Sequence, residues 1–164
     1  MKNSWGLIII LFFSCCSTDN TILVTNSGET QGSYYHIKYM SEDGLDYSFQ
    51  IDSILLEIDS SLSVYQSYSK ISRLNNKELV RTDSMFNTVF LASKKIFNQT
   101  DGYFDCSVSP LVNYYGFYNL GYTDSLTIDS SKVRNIVSNI GLDKINIYGD
   151  SLVLPKSMKL DFNA

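Results

Sequence analysis

Between Thr100 and Phe117 the sequence reads Thr-Asp-Gly-Tyr-Phe-Asp-Cys-Ser-Val-Ser-Pro-Leu-Val-Asn-Tyr-Tyr-Gly-Phe, and this stretch constrains the fold most. Asp101-Gly102 is a turn signal that ends the helical pattern before it. The turn throws the backbone into an aromatic pair, Tyr103-Phe104, and then a lone carboxylate, Asp105. Pro110, one of two prolines in the chain, follows, and Tyr114, Tyr115 and Phe117 then surround Gly116. Two readings fit these residue types. Large aromatics usually go inside, so the stretch suits a core turn that fills a hydrophobic layer. Aromatic faces, one Asp and a glycine that admits close backbone approach also suit a flat ring ligand with hydrogen-bonding edges.

The chain has 164 residues, enough for one domain with its own core. Hydrophobic residues make up 44% and charged ones 18%, a globular rather than a disordered composition. A net charge of −4 without a basic block argues against a nucleic-acid binder. Twelve Tyr and nine Phe suit a ring-binding hollow, and equally plain β-rich packing. The three cysteines make no disulfide framework, no Cys-x-x-Cys occurs, and His36 is the one histidine. That pattern argues against a zinc or iron–sulfur site.

After a short polar start, Trp5 to Phe13 is a nearly unbroken apolar run, too short to span a bilayer as a mature helix and shaped like a signal-peptide core. It ends in Phe12-Phe13-Ser14-Cys15-Cys16, followed by polar residues. A small residue before a cysteine at this point resembles a loose bacterial lipobox. Cys15, preceded by Ser14, is the better candidate for the lipid anchor, and Cys16 is the alternative. The expected layout is a signal peptide with lipobox over 1–15, a polar tether over 16–27 and a folded part over 28–164. Lipid chains would hold such a domain at a membrane surface, on the periplasmic face, without a transmembrane segment. An ordinary signal peptide with incidental cysteines also gives an exported protein.

Along the folded part, a first strand is expected near Ile22–Thr25 and a second over Tyr34 to Tyr39, closed by the turn Ser41-Glu42-Asp43-Gly44. Ile51, Leu55, Ile58 and Leu62 recur at helical steps, with Asp46 or Ser48 as the cap. Asp52, Glu57 and Asp59 read as that helix's solvated face. Asp83 caps a second helix with Phe86, Val89, Phe90, Ser93, Ile96 and Phe97 on one face, and it delivers the chain into Asp101-Gly102. A third helix, after Gly121, is capped at Asp129 and stopped by Gly141, with Val133, Ile136, Val137 and Ile140 inward. Lys144–Tyr148 and Ser151–Leu154, joined by Gly149-Asp150, read as a hairpin. Helices alternating irregularly with antiparallel strand signals predict an α+β fold, a mixed or antiparallel sheet packed with helices. No Gly-x-Gly-x-x-Gly occurs, so a dinucleotide would not be held in the Rossmann manner.

The stretch Asp101 to Phe117 resembles the Gly-x-Phe-Asp-x-Thr-Val-x-Pro-Leu-Val-Asn-x-Trp-Gly-Phe segment of the ApbE family, the FAD:protein FMN transferases. Other motifs follow the same order. Gln31-Gly32-Ser33 resembles the family's Met-Gly-Thr, with Gln for Met and Ser for Thr. Leu62-Ser63-Val64-Tyr65, then Ser69-Lys70-Ile71-Ser72-Arg73-Leu74-Asn75, resembles Leu-Ser-x-Tyr and Ser-x-Ile-Ser-Arg-Leu-Asn. Leu160-Asp161-Phe162-Asn163-Ala164 resembles the start of a motif that continues Ile-Ala-Lys-Gly-Tyr. The chain stops inside that motif, so the resemblance implies a truncated product with roughly the N-terminal half of a family domain.

The resemblance implies that Gln31, Tyr65, Tyr103, Phe104, Asp105 and Asp161 contact FAD, and that Ala164 offers its carbonyl to Mg2+. The implied reaction moves FMN from FAD, the substrate, to a Thr or Ser hydroxyl of a target flavoprotein, with AMP released. Splitting a diphosphate needs charge offset and in-line placement of the attacking hydroxyl. The general base and the remaining magnesium ligands are not placed in this sequence, and the fragment alone is expected to have weak activity or none. Two other classes stay open: an enzyme hydrolysing FAD to FMN and AMP, and a non-catalytic flavin-binding lipoprotein.

Overall fold

The structure, a computed structural model, describes residues 20–117 and 128–163. The expected signal peptide, Cys15, Cys16, the first residues of the tether and Ala164 lie outside the described residues.

The chain enters through a long hairpin, β1 (Thr21–Thr30) and β2 (Ser33–Glu42). They pair antiparallel in register from Thr21 opposite Glu42 to Thr30 opposite Ser33. This leaves Gln31 and Gly32 as a two-residue turn with φ of 51° and 71°, the positive pair that a type I′ hairpin requires. Most of the stretch expected as tether is therefore paired strand. Its polar residues are compatible with pairing because exposure alternates along β1: Val24, Asn26, Gly28 and Thr30 turn inward while their neighbours face out.

Helix α1 (Ser48–Leu62) lies on the inward side of the hairpin and is joined to it by side-chain contacts. Asp46, one of the two expected caps, accepts through Oδ1 from the Ser48 N–H at 2.9 Å and from the Asn26 amide at 2.8 Å; it stands one residue before the N-cap position, which Tyr47 occupies without a side-chain cap of its own. Tyr35 donates its hydroxyl to Asp52 at 2.6 Å. The Tyr47 N–H donates to Tyr39 Oη at 2.7 Å, and the two rings lie 5.5 Å apart.

Helix α2 (Lys70–Asn75) was not anticipated as a separate element; Ser69 caps it, accepting from Ser72 N–H at 3.1 Å. Helix α3 (Ser84–Gln99) begins where expected, with Asp83 Oδ1 accepting from the Phe86 N–H at 2.8 Å. Its turn into the aromatic stretch carries positive φ at Asp101 (50°) and Gly102 (82°). That stretch then forms another unanticipated helix, α4 (Ser109–Tyr114), with Pro110 in its first turn, where no backbone N–H is needed.

Helix α5 (Ser130–Asn139) is capped by Asp129 as expected, but none of its residues is buried and Val137 is 48% exposed. Its apolar stripe rests on the surface of the domain rather than in the core. A 3-10 turn (Leu142–Lys144) leads to a short antiparallel hairpin, β3 (Ile147–Tyr148) and β4 (Ser151–Leu152).

The hydrophobic core joins α2 (Ile71, Leu74), α3 (Phe86, Phe90), Cys106, Leu142, Ile145 and the C-terminal run Leu152, Leu154, Met158 and Leu160. Each fully buried Phe contributes about 1.5–3 kcal/mol of transfer free energy. No residue of β1 or β2 belongs to that core.

Candidate functional site

Three backbone segments meet at the run 158–163, and hydrogen bonds explain why. Asn75, at the end of α2, donates its amide to the Leu160 carbonyl and accepts the Leu160 N–H, both at 2.8 Å. A side chain here replaces a strand partner. From the other side, the Asp161 N–H donates to the Cys106 carbonyl at 2.8 Å, and Val108 bridges Lys159 in parallel. The last turn is closed by Asp161 Oδ1, which accepts from the Asn163 N–H at 2.8 Å and from the Asn163 amide at 3.1 Å. Phe162 stands edge-on to Phe86, with centroids 5.2 Å apart, so the run is anchored in the core.

The loop before α2 is held as firmly. The Ser63 carbonyl accepts from Ser69 Oγ at 2.6 Å and from Ser72 Oγ at 3.1 Å. With its base pinned, the loop presents Tyr65 outward, 71% exposed. Tyr65 is a shared wall of two hollows. One, of about 380 Å³, lies toward α2 and α4 and is lined by Ser72, Asn75, Ser109, Asn113 and Lys159. The other, of about 170 Å³, lies toward the hairpin turn and is lined by Gln31, Asp59, Leu62, Phe162 and Asn163. An exposed aromatic face between a polar hollow and a half-apolar one suits a ligand with a ring and a polar chain.

The structure therefore brings Gln31, Tyr65 and the turn begun by Asp161 to one place. It does not bring Tyr103 or Phe104 to either of these hollows. Tyr103 is 96% exposed at the end of α3, and Phe104 packs against the core. Asp105 Oδ1 accepts from the Ser107 N–H at 2.8 Å and from Ser107 Oγ at 2.7 Å, and Ser107 Oγ in turn accepts from the Gly141 N–H at 2.7 Å. Asp105 thus ties the aromatic turn to the end of α5. Cys106, buried beside it, is no ready nucleophile: burial pushes its thiol up to about 12, against a smaller lowering from its hydrogen bond with Ser93.

Asp59 departs from its reading as solvated surface. It is half-buried and lines the hairpin-side hollow, whereas Glu57 is exposed and Asp52 is exposed but held by Tyr35. The signal was present: Asp59 lies four residues after Leu55 and three before Leu62, on the edge of the apolar stripe. Ser109, Asn113 and Lys159 were also missed as lining residues, because they come together only when 158–163 docks. Lys77 Nζ donates to the Pro155 carbonyl at 2.9 Å, and its pKa is lowered by burial and then by the charge of Lys159.

Among the described residues no group of three or more His, Cys, Asp or Glu side chains could hold a metal ion. Among them, too, no helix is long and apolar enough to cross a membrane.

A family model described as the ApbE family matches residues 31–164. The FAD:protein FMN transferase of Vibrio cholerae is 30% identical over 134 residues, covering 77% of this chain and 40% of that protein. The protein of the same name from Haemophilus influenzae is 28% identical over 124 residues, covering 68% of this chain and 36% of its own length. Among solved structures, the flavin transferase ApbE of Vibrio cholerae and the flavinyl transferase ApbE of Pseudomonas stutzeri each match with a TM-score of 0.75 and 27% identity. Each match covers 87% of this chain and 48% of the solved one. The chain thus spans 36–40% of the length of these two curated relatives.

Proposed function

The chain belongs to the ApbE family, and on that premise we propose that it carries the flavin-nucleotide-gripping part of an FAD:protein FMN transferase. The observation that carries the proposal is Tyr65, exposed between two hollows, one shared with Gln31, Phe162 and Asn163 and the other with Asn75, Asn113 and Lys159. In this reading a ring of FAD lies on Tyr65. The polar hollow with Lys159, Ser109 and Asn113 takes the sugar and phosphate portion, where one ammonium offsets anionic oxygens. Gln31 is held at the tip of a tight hairpin turn, which fixes where its amide can reach. Asp161 shapes the wall by closing the turn that carries Asn163, and the contacts of Tyr103, Phe104 and Asp105 with FAD remain part of the proposal.

The reaction breaks the bond between the FMN phosphorus and the oxygen bridging to AMP. It forms a bond from that phosphorus to a Thr or Ser oxygen of the target flavoprotein, and AMP leaves. The hydroxyl proton passes to a base that we do not assign among the described residues. Dependence on Mg2+ belongs to the same proposal and is supported by family membership. Alongside this goes an exported, lipid-anchored protein at the periplasmic face of a bacterial membrane, supported by the apolar run and Ser14-Cys15-Cys16. Palmitate labelling of the wild type, lost in Cys15→Ser or Cys16→Ser, is the expected outcome; an unlabelled wild type removes the anchor.

The activity is tested by incubating the protein with FAD, Mg2+ and a target flavoprotein, with EDTA as control. Flavin covalently on the target supports transfer. Free FMN instead indicates hydrolysis, and unchanged but bound FAD indicates a storage or delivery role.

A further inference from the structure

Two carboxylates of α1 face the hairpin two turns apart, and they differ in one respect. Asp52 has a donor, the Tyr35 hydroxyl at 2.6 Å. Asp59 Oδ1 is buried and has no hydrogen-bond partner among the described residues. Asp59 also lies at the junction of three hollows: the one shared with Tyr65, Gln31 and Asn163, one beneath the hairpin turn, and one beside Tyr35 and Asp52. A carboxylate oxygen withdrawn from water without a donor costs about 1–3 kcal/mol or more. A site that retains such a group holds an acceptor for something that arrives.

Resting on the flavin-nucleotide reading above, we infer that Asp59 is a ligand-binding residue of this site, and that its carboxylate accepts a hydrogen bond from a hydroxyl or N–H of the bound dinucleotide. An anionic group here repels the diphosphate, so the donor belongs to a sugar, ribityl or ring portion. Rotation about the soft last torsion of Asp lets either oxygen turn to that donor. Leu62 and Phe162 on the same hollow keep the contact partly out of water, where a charged hydrogen bond counts for more.

The test uses the full chain, titrated with FAD by calorimetry and melted with and without FAD. In Asp59→Ala the FAD dissociation constant is expected to rise roughly ten- to a hundredfold. Its ligand-free melting temperature should equal or exceed that of the wild type, because an unpartnered buried charge has gone. Asp59→Asn, which keeps a carbonyl acceptor, should lose less affinity, and it serves as the variant if Asp59→Ala does not fold. Parallel titrations with riboflavin and adenosine distinguish the two sources of the donor: the one weakened by the substitution carries it. Unchanged FAD affinity in either variant overturns the inference while the flavin reading stands. A ligand-free melting temperature that falls with affinity intact overturns it too, by making Asp59 structural. A wild type that binds no FAD overturns the flavin reading, and the inference with it.

Discussion

Asn75 is the residue on which the site's geometry turns. Its amide satisfies both backbone groups of Leu160, which is fully buried, so truncation strands a donor and an acceptor away from water. Asn75→Ala is expected to destabilise the protein by about 2–6 kcal/mol, since each of the two buried groups left without a partner costs about 1–3; urea unfolding measures it, and a change under 1 kcal/mol would show that the run 158–163 is held by its apolar residues alone. Asp46 gives a pH signature. The Asn26 amide and then the Ser48 N–H hold its carboxyl below the ordinary carboxylate range. Its folded pKa thus lies below the unfolded value of about 3.9, so its contribution is present above that value and is lost as pH falls through the folded pKa. The stability deficit of Asp46→Ala should accordingly be largest near neutral pH and shrink below about pH 4. Urea midpoints between pH 2 and 7 will show this, and a deficit constant with pH would contradict it.

Among elements, α3 is the frame, and its start is a hub. Asp83 Oδ1 caps the helix and also accepts the hydroxyl of buried Ser61 at 2.9 Å, which joins the end of α1 to the start of α3. Its ion pair with Lys70, 3.9 Å apart and about one-third exposed at each partner, adds little. Asp83→Ala should cost about 0.5–2 kcal/mol for the lost cap and about 1–3 more for Ser61. Asp83→Asn should recover part of that in thermal melts; equal losses would show that charge rather than hydrogen bonding matters there. This cap was legible in the sequence because a single side chain serves its own helix. Helix α2 was not: six residues make too short a period to read, and its stability comes from Ser69 and from Ile71 and Leu74 packing inward. Helix α5 erred the other way. Its stripe is well formed, yet periodicity says which face is apolar and not whether anything covers it.

At the scale of the molecule, the β1–β2 hairpin stands outside the hydrophobic core and is tied to α1 by Asn26–Asp46, Tyr35–Asp52 and Tyr39–Tyr47. Such contacts are exposed and individually weak. Amides of β1 and β2 should therefore exchange with deuterium well before those of α3, whose Phe86 and Phe90 are wholly buried. Equal protection of the two would mean that the hairpin unfolds only with the core. Because Gln31 rides on this hairpin and Tyr65 on the pinned loop, bound FAD is expected to slow hairpin exchange selectively.

The amino-acid sequence alone determined the α+β class, the caps at Asp83 and Asp129, the turns and the family, because caps, turns and ordered motifs are written in near neighbours. The family resemblance implied FAD contacts at Gln31, Tyr65, Tyr103, Phe104, Asp105 and Asp161, and the structure brings Gln31, Tyr65 and the turn begun by Asp161 together. Only the tertiary structure decided which residues share a wall. Asn75 meets Leu160 across a separation of 85 residues, and that pairing creates the hollow lined by Lys159 and Asn113. The same packing directs Phe104 to the core and leaves Asp59 Oδ1 without a hydrogen-bond donor among the described residues. Local chemistry fixes what a residue can do. What it faces depends on backbone partners remote in the chain, and no periodicity encodes those.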